Sequence, residues 1–186
     1  MEYDREKWNA KHAAKKGLHQ ADSFLLKYFE LLKPNKALDI ACGRGRNSLL
    51  LAQNGFETYA VDYSDVGLAS LAKQANSKQL DIQLIELDLD KPALLETYKP
   101  FDSIICINFK PLPDLLKLIP NLLNKNGIFL WSSFNEIQAE KTPFPIDKAL
   151  TYKTFIGYNN HLETLVYERF TDITGERDGY VYRKKY

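Results

Sequence analysis

The chain has 186 residues, which suffices for one domain with a substantial core. Its 25 lysines and arginines nearly balance its 24 aspartates and glutamates, so composition gives no reason to expect nucleic acid or a membrane surface as a partner. The N-terminus is charged and polar through Lys16, and no apolar run is long enough to span a bilayer, which argues against a signal peptide and a transmembrane helix. We therefore expect a single cytoplasmic domain over residues 1–186.

The N-terminal residues 1–34 are predicted to be helical. Asp4 can cap a helix that continues to about Lys16. A second helix carries an apolar stripe from Phe24 to Leu32 and ends at Pro34.

From residue 36 onward, apolar strands alternate with helices, which implies right-handed crossovers and a parallel sheet. Two C-terminal strands joined near Thr174-Gly175 add an antiparallel hairpin. The predicted fold is therefore an α/β domain with a doubly wound, mostly parallel, Rossmann-like sheet of seven strands. The predicted strands cover residues 37–41, 58–61, 82–87, 103–107, 128–131, 162–170 and 180–183.

The most informative segment is the turn between the first strand and its helix, with the sequence LDIACGRGRN at residues 38–47. Gly43 and Gly45 lack a Cβ, so a nucleotide-bearing ligand can approach the main chain there. Asp39 stands before the glycines, where a carboxylate suits a ligand with positive charge better than one that is mainly phosphate. S-adenosyl-L-methionine (SAM) is such a ligand, because it has an ammonium and a sulfonium group and no phosphate.

Three aspartates, Asp39, Asp62 and Asp88, stand at the carboxyl ends of the first three predicted strands. In an open α/β sheet, ligands bind at that edge, where the strand order reverses. Asp62 is placed to accept hydrogen bonds from ribose hydroxyls, Asp88 can reach an adenine amino group, and Asp39 can hold an ammonium group directly or through water. Each aspartate also has a local interpretation: Asp39 as a helix or loop cap, Asp62 as an N-cap, and Asp88 as part of a solvated turn.

These segments resemble the class I SAM-dependent methyltransferases. Residues 38–49 are similar to the D-x-x-C-G-x-G-R-N-S-L segment of the small bacterial methyltransferases related to the tellurite-resistance and thiopurine enzymes. Residues 60–64, 101–105 and 123–127 resemble the family's second segment, its strand-four segment and the turn before its strand five. The resemblance is strong from residue 36 to 71 and does not extend to residues 135–161, whose role is not predicted.

The resemblance implies a cofactor site. The two glycines would lie close to the methionine part of SAM, and Asn47 would stabilise the loop or touch the same end. Tyr63 would pack beside the adenine, and residues 108 and 109 would line the methyl-donor end. The implied cofactor-binding residues are Asp39, Cys42, Gly43, Gly45, Asn47, Asp62, Tyr63, Ser64, Asp88, Leu89, Asn108 and Phe109.

Relatives often have an aromatic and basic helical lid at the N-terminus, and the resemblance places residues 1–34 there. Trp8, Lys11 and His12 would be its substrate-facing residues. A helix with Trp8 packed on the sheet is the alternative interpretation.

Methyl transfer from a sulfonium is an in-line displacement with a neutral leaving group, so alignment and exclusion of water are the main tasks of the protein. A base is needed only where the acceptor must lose a proton. His12 is the nearest candidate, but a surface histidine is the favoured interpretation of it. Catalytic residues are therefore not assigned.

The acceptor is expected to be a small molecule, and the product S-adenosyl-L-homocysteine (SAH). Residues 108–111, with the sequence NFKP, do not match the asparagine–proline–proline–aromatic motif of DNA and some protein methyltransferases, so nucleic acid is not expected as a substrate. Oligomeric state is not predicted. The aromatic residues Phe144, Tyr152, Phe155 and Tyr158 could line a pocket or a subunit contact.

Cysteine and histidine usage argues against a metal site. Cys42 and Cys106 are the only cysteines, which favours a reducing compartment, and both are interpreted as small buried residues rather than nucleophiles. His12, His19 and His161 lack the spacing of a zinc motif, so we predict no metal.

Two other functions remain open. An NAD-dependent oxidoreductase shares the strand–glycine–helix unit, but its fingerprint requires a third glycine or alanine where this chain has Ser48. A non-catalytic SAM-binding or methyltransferase-like interaction module is compatible with the missing base.

Overall fold

The computed structural model describes residues 2–14, 17, 20–151, 154 and 160–186, with side chains from residue 5 onward. Within this part of the chain, no helix combines the length and apolar character needed to cross a bilayer. The helices are α1 (Glu2–Ala14), α2 (Ser23–Lys27), α3 (Arg46–Gln53), α4 (Asp65–Ser77), α5 (Pro113–Leu122) and α6 (Glu136–Lys141). The strands are β1 (Lys36–Ile40), β2 (Glu57–Asp62), β3 (Ile82–Glu86), β4 (Phe101–Ile107), β5 (Leu123–Phe134), β6 (Leu162–Asp172) and β7 (Gly175–Lys184). Short 3-10 turns cover Phe29–Leu31, Pro92–Thr97 and Ile146–Lys148.

The seven strands form one sheet in the order β3-β2-β1-β4-β5-β7-β6. Strands β1 to β5 pair in parallel, and β7 is antiparallel to both β5 and β6. The predicted fold class, including the C-terminal antiparallel hairpin, is thereby confirmed. The strand order reverses between β1 and β4, and this reversal places a ligand crevice outside the carboxyl end of β1.

Strand β4 shows where the core lies. Ile104 and Cys106 pack into the cluster on one face of the sheet, and Ile105 and Ile107 pack into the cluster on the other face. All four are buried, as expected of a strand covered on both faces. The sheet therefore lies in the middle of the molecule, and its edges are free to carry loops.

Two strands are longer than the sequence predicted. β5 begins at Leu123 instead of residue 128, and β7 begins at Gly175 instead of residue 180. β5 begins where Leu123 pairs with Phe101 of β4, and it ends where Phe134 pairs with Arg177 of β7. β7 begins where Gly175 pairs with Asp172 of β6, so neighbouring strands set these boundaries. Local periodicity does not report such pairing, which explains the misplaced boundaries.

The second N-terminal helix is shorter than predicted. α2 ends at Lys27, and a 3-10 turn follows it before Pro34. Lys27 donates to Glu168 of β6 at 2.7 Å, and Phe24 stacks on Phe170 of β6 with ring centroids 5.4 Å apart. Contacts with the hairpin, rather than helical periodicity alone, set the path of this segment.

Candidate active site

The carboxyl ends of the first three strands lie side by side. Ile40 of β1 is in register with Val61 of β2, and Val61 is in register with Ile85 of β3. The segments after these strands, residues 41–45, 63–64 and 87–90, therefore meet at one edge of the sheet. Most of the residues implied in cofactor binding belong to these segments, and the structure brings them together as predicted.

The loop after β1 needs glycine at both predicted positions. Gly43 and Gly45 have φ angles of 56° and 78°, a region that disfavours residues with a Cβ. A Cβ on Gly45 would lie 2.2 Å from Leu71 Cδ1, so α4 can pack this closely only against glycine. Ala41 also has a positive φ, 57°, so this loop contains one residue with a Cβ in the left-handed region.

Asp62 links this loop to the next helix. One of its carboxylate oxygens accepts from the Gly43 amide at 2.7 Å, and the other accepts from the Ser64 amide at 2.8 Å. Ser64 in turn caps α4, because its hydroxyl accepts from the Gly67 amide at 3.0 Å. Each carboxylate oxygen of Asp62 has a second lone pair, so these bonds leave acceptor capacity for a ribose hydroxyl.

Asp39 lies beneath the loop and is buried. Its carboxylate accepts from the Ser48 hydroxyl at 2.5 Å, which ties β1 to the first turn of α3. Burial, together with the charge of Asp62, raises the pKa of Asp39 to about 7, although the Ser48 hydrogen bond and Arg46 oppose the shift. Desolvation and the nearby Asp39 charge likewise raise the pKa of the Cys42 thiol, so that thiol is not an activated nucleophile.

The third aspartate and its neighbour occupy the end of β3. Asp88 is partly exposed and accepts from the Asp90 amide at 3.1 Å, the turn geometry of its local interpretation. Leu89 is buried in the core, so its main chain rather than its side chain is available at this edge. Tyr63 is partly buried, with Arg5 of α1 lying 5.5 Å from its ring centroid.

The residues after β4 lie at the reversal of strand order. Asn108 is exposed, and its φ is 59°. The carbonyl of Phe109 accepts from the indole of Trp131 at 2.9 Å, and this bond fixes the loop against β5.

Asn47 is buried. Its side-chain oxygen accepts from the amide of Asp22 at 3.0 Å, just before α2. Of the two roles implied for Asn47, this contact favours support of the loop.

The N-terminal helix α1 lies on α4 and on the carboxyl edge. Asn9 accepts from the Ser64 hydroxyl at 2.6 Å and donates to Asp65 at 2.7 Å. His12 lies against the glycine loop, because a Cβ on Gly43 would be 3.0 Å from His12 Cε1. Of the three predicted lid residues, only His12 therefore lies against the glycine loop.

Trp8 and Lys11 are more exposed than His12. Trp8 is 39% exposed and stacks on His12 with ring centroids 6.0 Å apart, while the Lys11 ammonium lies 4.4 Å from the Trp8 ring. Trp8 belongs to none of the described core clusters, which does not favour the alternative in which it packs on the sheet. His19 lies outside the described residues.

Sequence reasoning missed a buried ion cluster at the start of β7. The Arg177 guanidinium donates to Asp22 at 2.8 Å and to Asp172 at 3.0 Å, and all three residues are largely buried. The Arg177 guanidinium thereby joins the start of α2 to the β6–β7 hairpin, beside the end of β5. Asp22 and Asp172 are far apart in the chain, so no local sequence pattern indicates that they share a cation. In addition, the sequence predicted that β7 begins only after Arg177.

Residues 135–161 are partly described. Phe144 packs on Phe134 with ring centroids 5.0 Å apart, whereas Tyr152, Phe155 and Tyr158 lie outside the described residues. Lys110, which follows the β4 loop, donates to the carbonyls of Asp147 and Ala149 at 2.9 and 2.8 Å. This lysine fastens the segment before β6 to the side of the crevice nearest β4.

An open cavity of about 620 Å³ lies at the opposite edge, by the amino ends of β2 and β3. Gly55, Tyr59 and Asp81 are among its lining residues, and no predicted site residue lines it. The chemistry implied by the sequence therefore belongs to the carboxyl edge. The residues there fit an adenosyl sulfonium ligand, because Asp62 keeps acceptor lone pairs for a ribose beside the glycine loop and Asp39 lies beneath that loop.

Comparison with known sequences agrees with this location. A family profile described as "Tellurite resistance protein TehB" matches residues 5–170. The chain is 33% identical over 98 residues to Hemagglutinin 1 of Eikenella corrodens, covering 53% of this chain and 32% of that protein. It is 24% identical over 162 residues to the probable S-adenosyl-L-methionine-dependent methyltransferase TehB of Haemophilus influenzae, covering 80% of this chain and 55% of the relative. The chain thus spans between a third and about half of the length of these relatives.

Solved structures share the architecture. The crystal structure of TehB from Haemophilus influenzae superposes with a TM-score of 0.72 at 21% identity, covering 97% of this chain and 67% of that one. A S-adenosylmethionine-dependent methyltransferase from Clostridium acetobutylicum gives a TM-score of 0.73 at 17% identity, covering 100% of this chain and 99% of the other. These similarities show a common fold.

Proposed function

Because the chain belongs to the TehB family of class I SAM-dependent methyltransferases, we propose that it transfers the methyl group of SAM to a small-molecule acceptor and releases SAH. The observation that carries this proposal is the placement of Asp62. Its carboxylate joins the Gly43 loop to the start of α4 at the edge where the strand order reverses. A ligand with an adenosine and a cationic amino-acid end offers ribose hydroxyls to Asp62 and a positive charge to Asp39 at this edge.

In the proposed complex, each part of the cofactor is contacted by a different set of residues. Asp62 would accept from the ribose hydroxyls, and Tyr63 would pack beside the adenine. Asp88 and the main chain of Leu89 would meet the adenine edge. The main chain around the two glycines would approach the methionine part, with Asp39 beneath it to balance the ammonium charge.

SAM supplies a methyl group already activated by its sulfonium, so the chain needs no acid to expel the leaving group. The protein's own residues then have two tasks, which are to orient the donor and to exclude water. Asn108 and Phe109 stand at the end of β4, and the Trp131 bond to Phe109 keeps that loop rigid. No base is assigned, so we propose an acceptor that reacts without losing a proton or arrives already ionised.

The name of the matching family supports a small acceptor, since tellurite is a small oxyanion. The Lys110 contacts bring the segment at 147–149 next to the loop after β4 and narrow that side of the crevice. We therefore propose that the acceptor enters between these two segments.

Calorimetric titration of the full chain with SAM, SAH and NADH tests the cofactor assignment. We expect SAM and SAH to bind, and we expect Asp62→Asn to weaken their binding by about 1–3 kcal/mol, because an amide cannot accept from the ribose and both loop amides at once. Asp81→Asn, an exposed carboxylate at the opposite edge, is the matched control and should not change the affinity. NADH binding without SAM binding would favour an oxidoreductase instead.

Turnover is tested by incubating the chain with SAM and a panel of thiol, amine and oxyanion acceptors and measuring SAH. Product with at least one acceptor class is expected. Tight SAM binding with no SAH from any acceptor would instead favour a non-catalytic module.

A further inference from the structure

Residues 136–149 form an arch that leaves the end of β5 and returns to it. Asn135 and Leu150, at the two ends of the arch, are fully buried and pair as an isolated parallel bridge. The Leu150 amide donates to the carbonyl of Phe134 at 2.8 Å, and the Leu150 carbonyl accepts from the amide of Glu136 at 3.1 Å. The base of the arch is therefore fixed to the sheet at the carboxyl end of β5.

The two halves of the arch are held by different neighbours. The first half contains α6, and ion pairs of Glu136 and Lys141 tie it to the β6–β7 hairpin. In the second half, residues 142–149, none of the residues before Ala149 is buried. Within the described part of the chain, the two hydrogen bonds of Lys110 are those that join this half to the loop after β4. Lys110 is therefore the link between the exposed half of the arch and that loop.

The bonds of Lys110 do more than cap a surface turn. Asp147 and Ala149 lie at the C-terminal end of the 3-10 turn Ile146–Lys148, where main-chain carbonyls lack partners within the turn. A lysine near the end of a helical turn can satisfy such carbonyls itself, but here the lysine comes from 37 and 39 residues earlier in the chain. Partial burial lowers the pKa of Lys110, and the charge of Asp147 opposes the shift, so the carbonyls replace part of the ammonium's hydration. The two bonds thus hold two separate walls of the crevice together.

The junction between Lys110 and the arch lies beside the proposed reacting centre. Lys110 directly follows Asn108 and Phe109, the residues proposed at the methyl-donor end. Each of the two joined segments also carries an exposed aliphatic side chain near the junction, since Leu112 is 50% exposed and Ile146 is 62% exposed. An acceptor that enters between the loop and the arch therefore meets two walls of fixed separation, with apolar groups at the rim.

We propose that Lys110 is a positioning residue that sets the width of the acceptor entrance and thereby selects small acceptors over bulky ones. This inference rests on the proposed function, because the entrance leads to the proposed methyl-donor end. Hydrogen bonds of 2.9 and 2.8 Å keep the two walls from separating, so a bulky acceptor is stopped before it reaches the methyl group. A small acceptor reaches that group whether or not the walls are joined. Loss of the two bonds then weakens discrimination against bulk and leaves the proposed cofactor residues in place.

The test uses the full chain and three pairs of acceptors, each pair sharing a reacting group and differing in bulk. The pairs are selenite and benzeneseleninate, mercaptoethanol and phenylmethanethiol, and methylamine and benzylamine. SAH release gives kcat/KM for both members of a pair, and the ratio of the two values measures the selection for small size. The fraction of active protein cancels in this ratio, so a loss of stability alone leaves it unchanged.

Three variants are compared with the natural sequence. Lys110→Met keeps an unbranched side chain without a donor, whereas Lys110→Arg keeps N–H groups that can donate to both carbonyls. Lys148→Met is the matched control, because it removes an exposed lysine from the turn that Lys110 holds. We expect Lys110→Met to lower the small-to-bulky ratio about tenfold in each pair that reacts, while the other two variants keep it. Affinity for SAH in calorimetry should be the same in all four proteins.

Three results would overturn the inference. An unchanged ratio in Lys110→Met would mean that the two bonds only cap the turn. An equal change in Lys148→Met would assign the effect to the charge of the turn. A natural chain that prefers the bulky member of each pair would show that the entrance does not select small acceptors. In all three cases SAH release by the natural chain leaves the proposed function in place, whereas no SAH from any of the acceptors would overturn the proposed function together with the inference.

Discussion

Two N-terminal segments dock on the same sheet in opposite ways. α1 lies on the carboxyl edge through partly exposed polar groups, whereas the start of α2 is fixed to the hairpin through Asp22, Arg177 and Asp172, which are largely buried. Exposed ion pairs can exchange their partners for water, but a buried charge that loses its partner has no substitute. The difference teaches that α1 is held by weaker contacts than the start of α2, which the buried ion cluster fixes to the hairpin.

The largest expected effect comes from removing the buried guanidinium. Arg177→Met should lower the free energy of unfolding by about 3 kcal/mol, because Asp172 would lose its cationic partner in a largely buried site while Asp22 would keep only Arg46. Urea denaturation measures the change. The control is Arg183→Met, whose partner Glu163 is exposed at the surface, and it should cost at most about 1 kcal/mol. Equal losses in the two variants would remove the contrast between the two docking modes.

A smaller effect is expected where the loop meets α4. Gly45→Ala should destabilise the chain by about 1–3 kcal/mol, because its Cβ would collide with Leu71 and its φ is positive. Gly55→Ala is the matched control, since Gly55 also has a positive φ but no atom within 4 Å of a Cβ. Thermal denaturation should therefore show a larger loss at Gly45. Similar losses at both sites would mean that backbone strain, and not the close approach of α4, requires glycine in this loop.

The smallest expected effect is a pH dependence from Asp39. Its pKa is raised to about 7 in the folded chain, so the stability that the protonated group contributes is present at low pH and is lost as pH rises through about 7. Affinity for SAM should change in the opposite sense and fall as pH drops through about 7, because the protonated group no longer balances the ammonium charge. Titration of SAM between pH 6 and 8 should show this slope, and Asp39→Asn should flatten it. An equal slope in the variant would assign the effect to another group.

The parts of the site that sequence reasoning found are local. The strand, Asp39, the two glycines and α3 are contiguous, and the Ser64 cap lies directly before α4. Turn and cap chemistry depends on a few neighbouring residues, so their types and order carry the information. The three aspartates could be placed at one edge because parallel strands bring their carboxyl ends together.

The elements that sequence reasoning misplaced depend on contacts between residues far apart in the chain. The boundaries of β5 follow from its pairing with β4 and β7, and the start of β7 follows from its pairing with β6. The end of α2 follows from contacts with β6. The path of α1 likewise depends on the contacts of Asn9 with Ser64 and Asp65, more than fifty residues away in the chain.

The amino-acid sequence by itself determined the alternation of strands and helices, the glycine loop and the acids that follow the strands. Each of these features depends on residues that are close together in the sequence. Only the tertiary structure decided that α1 lies over that loop and that Arg177 joins α2 to the hairpin. Both contacts join residues far apart in the chain, and their energy depends on burial and on the partner's position, which no local pattern encodes.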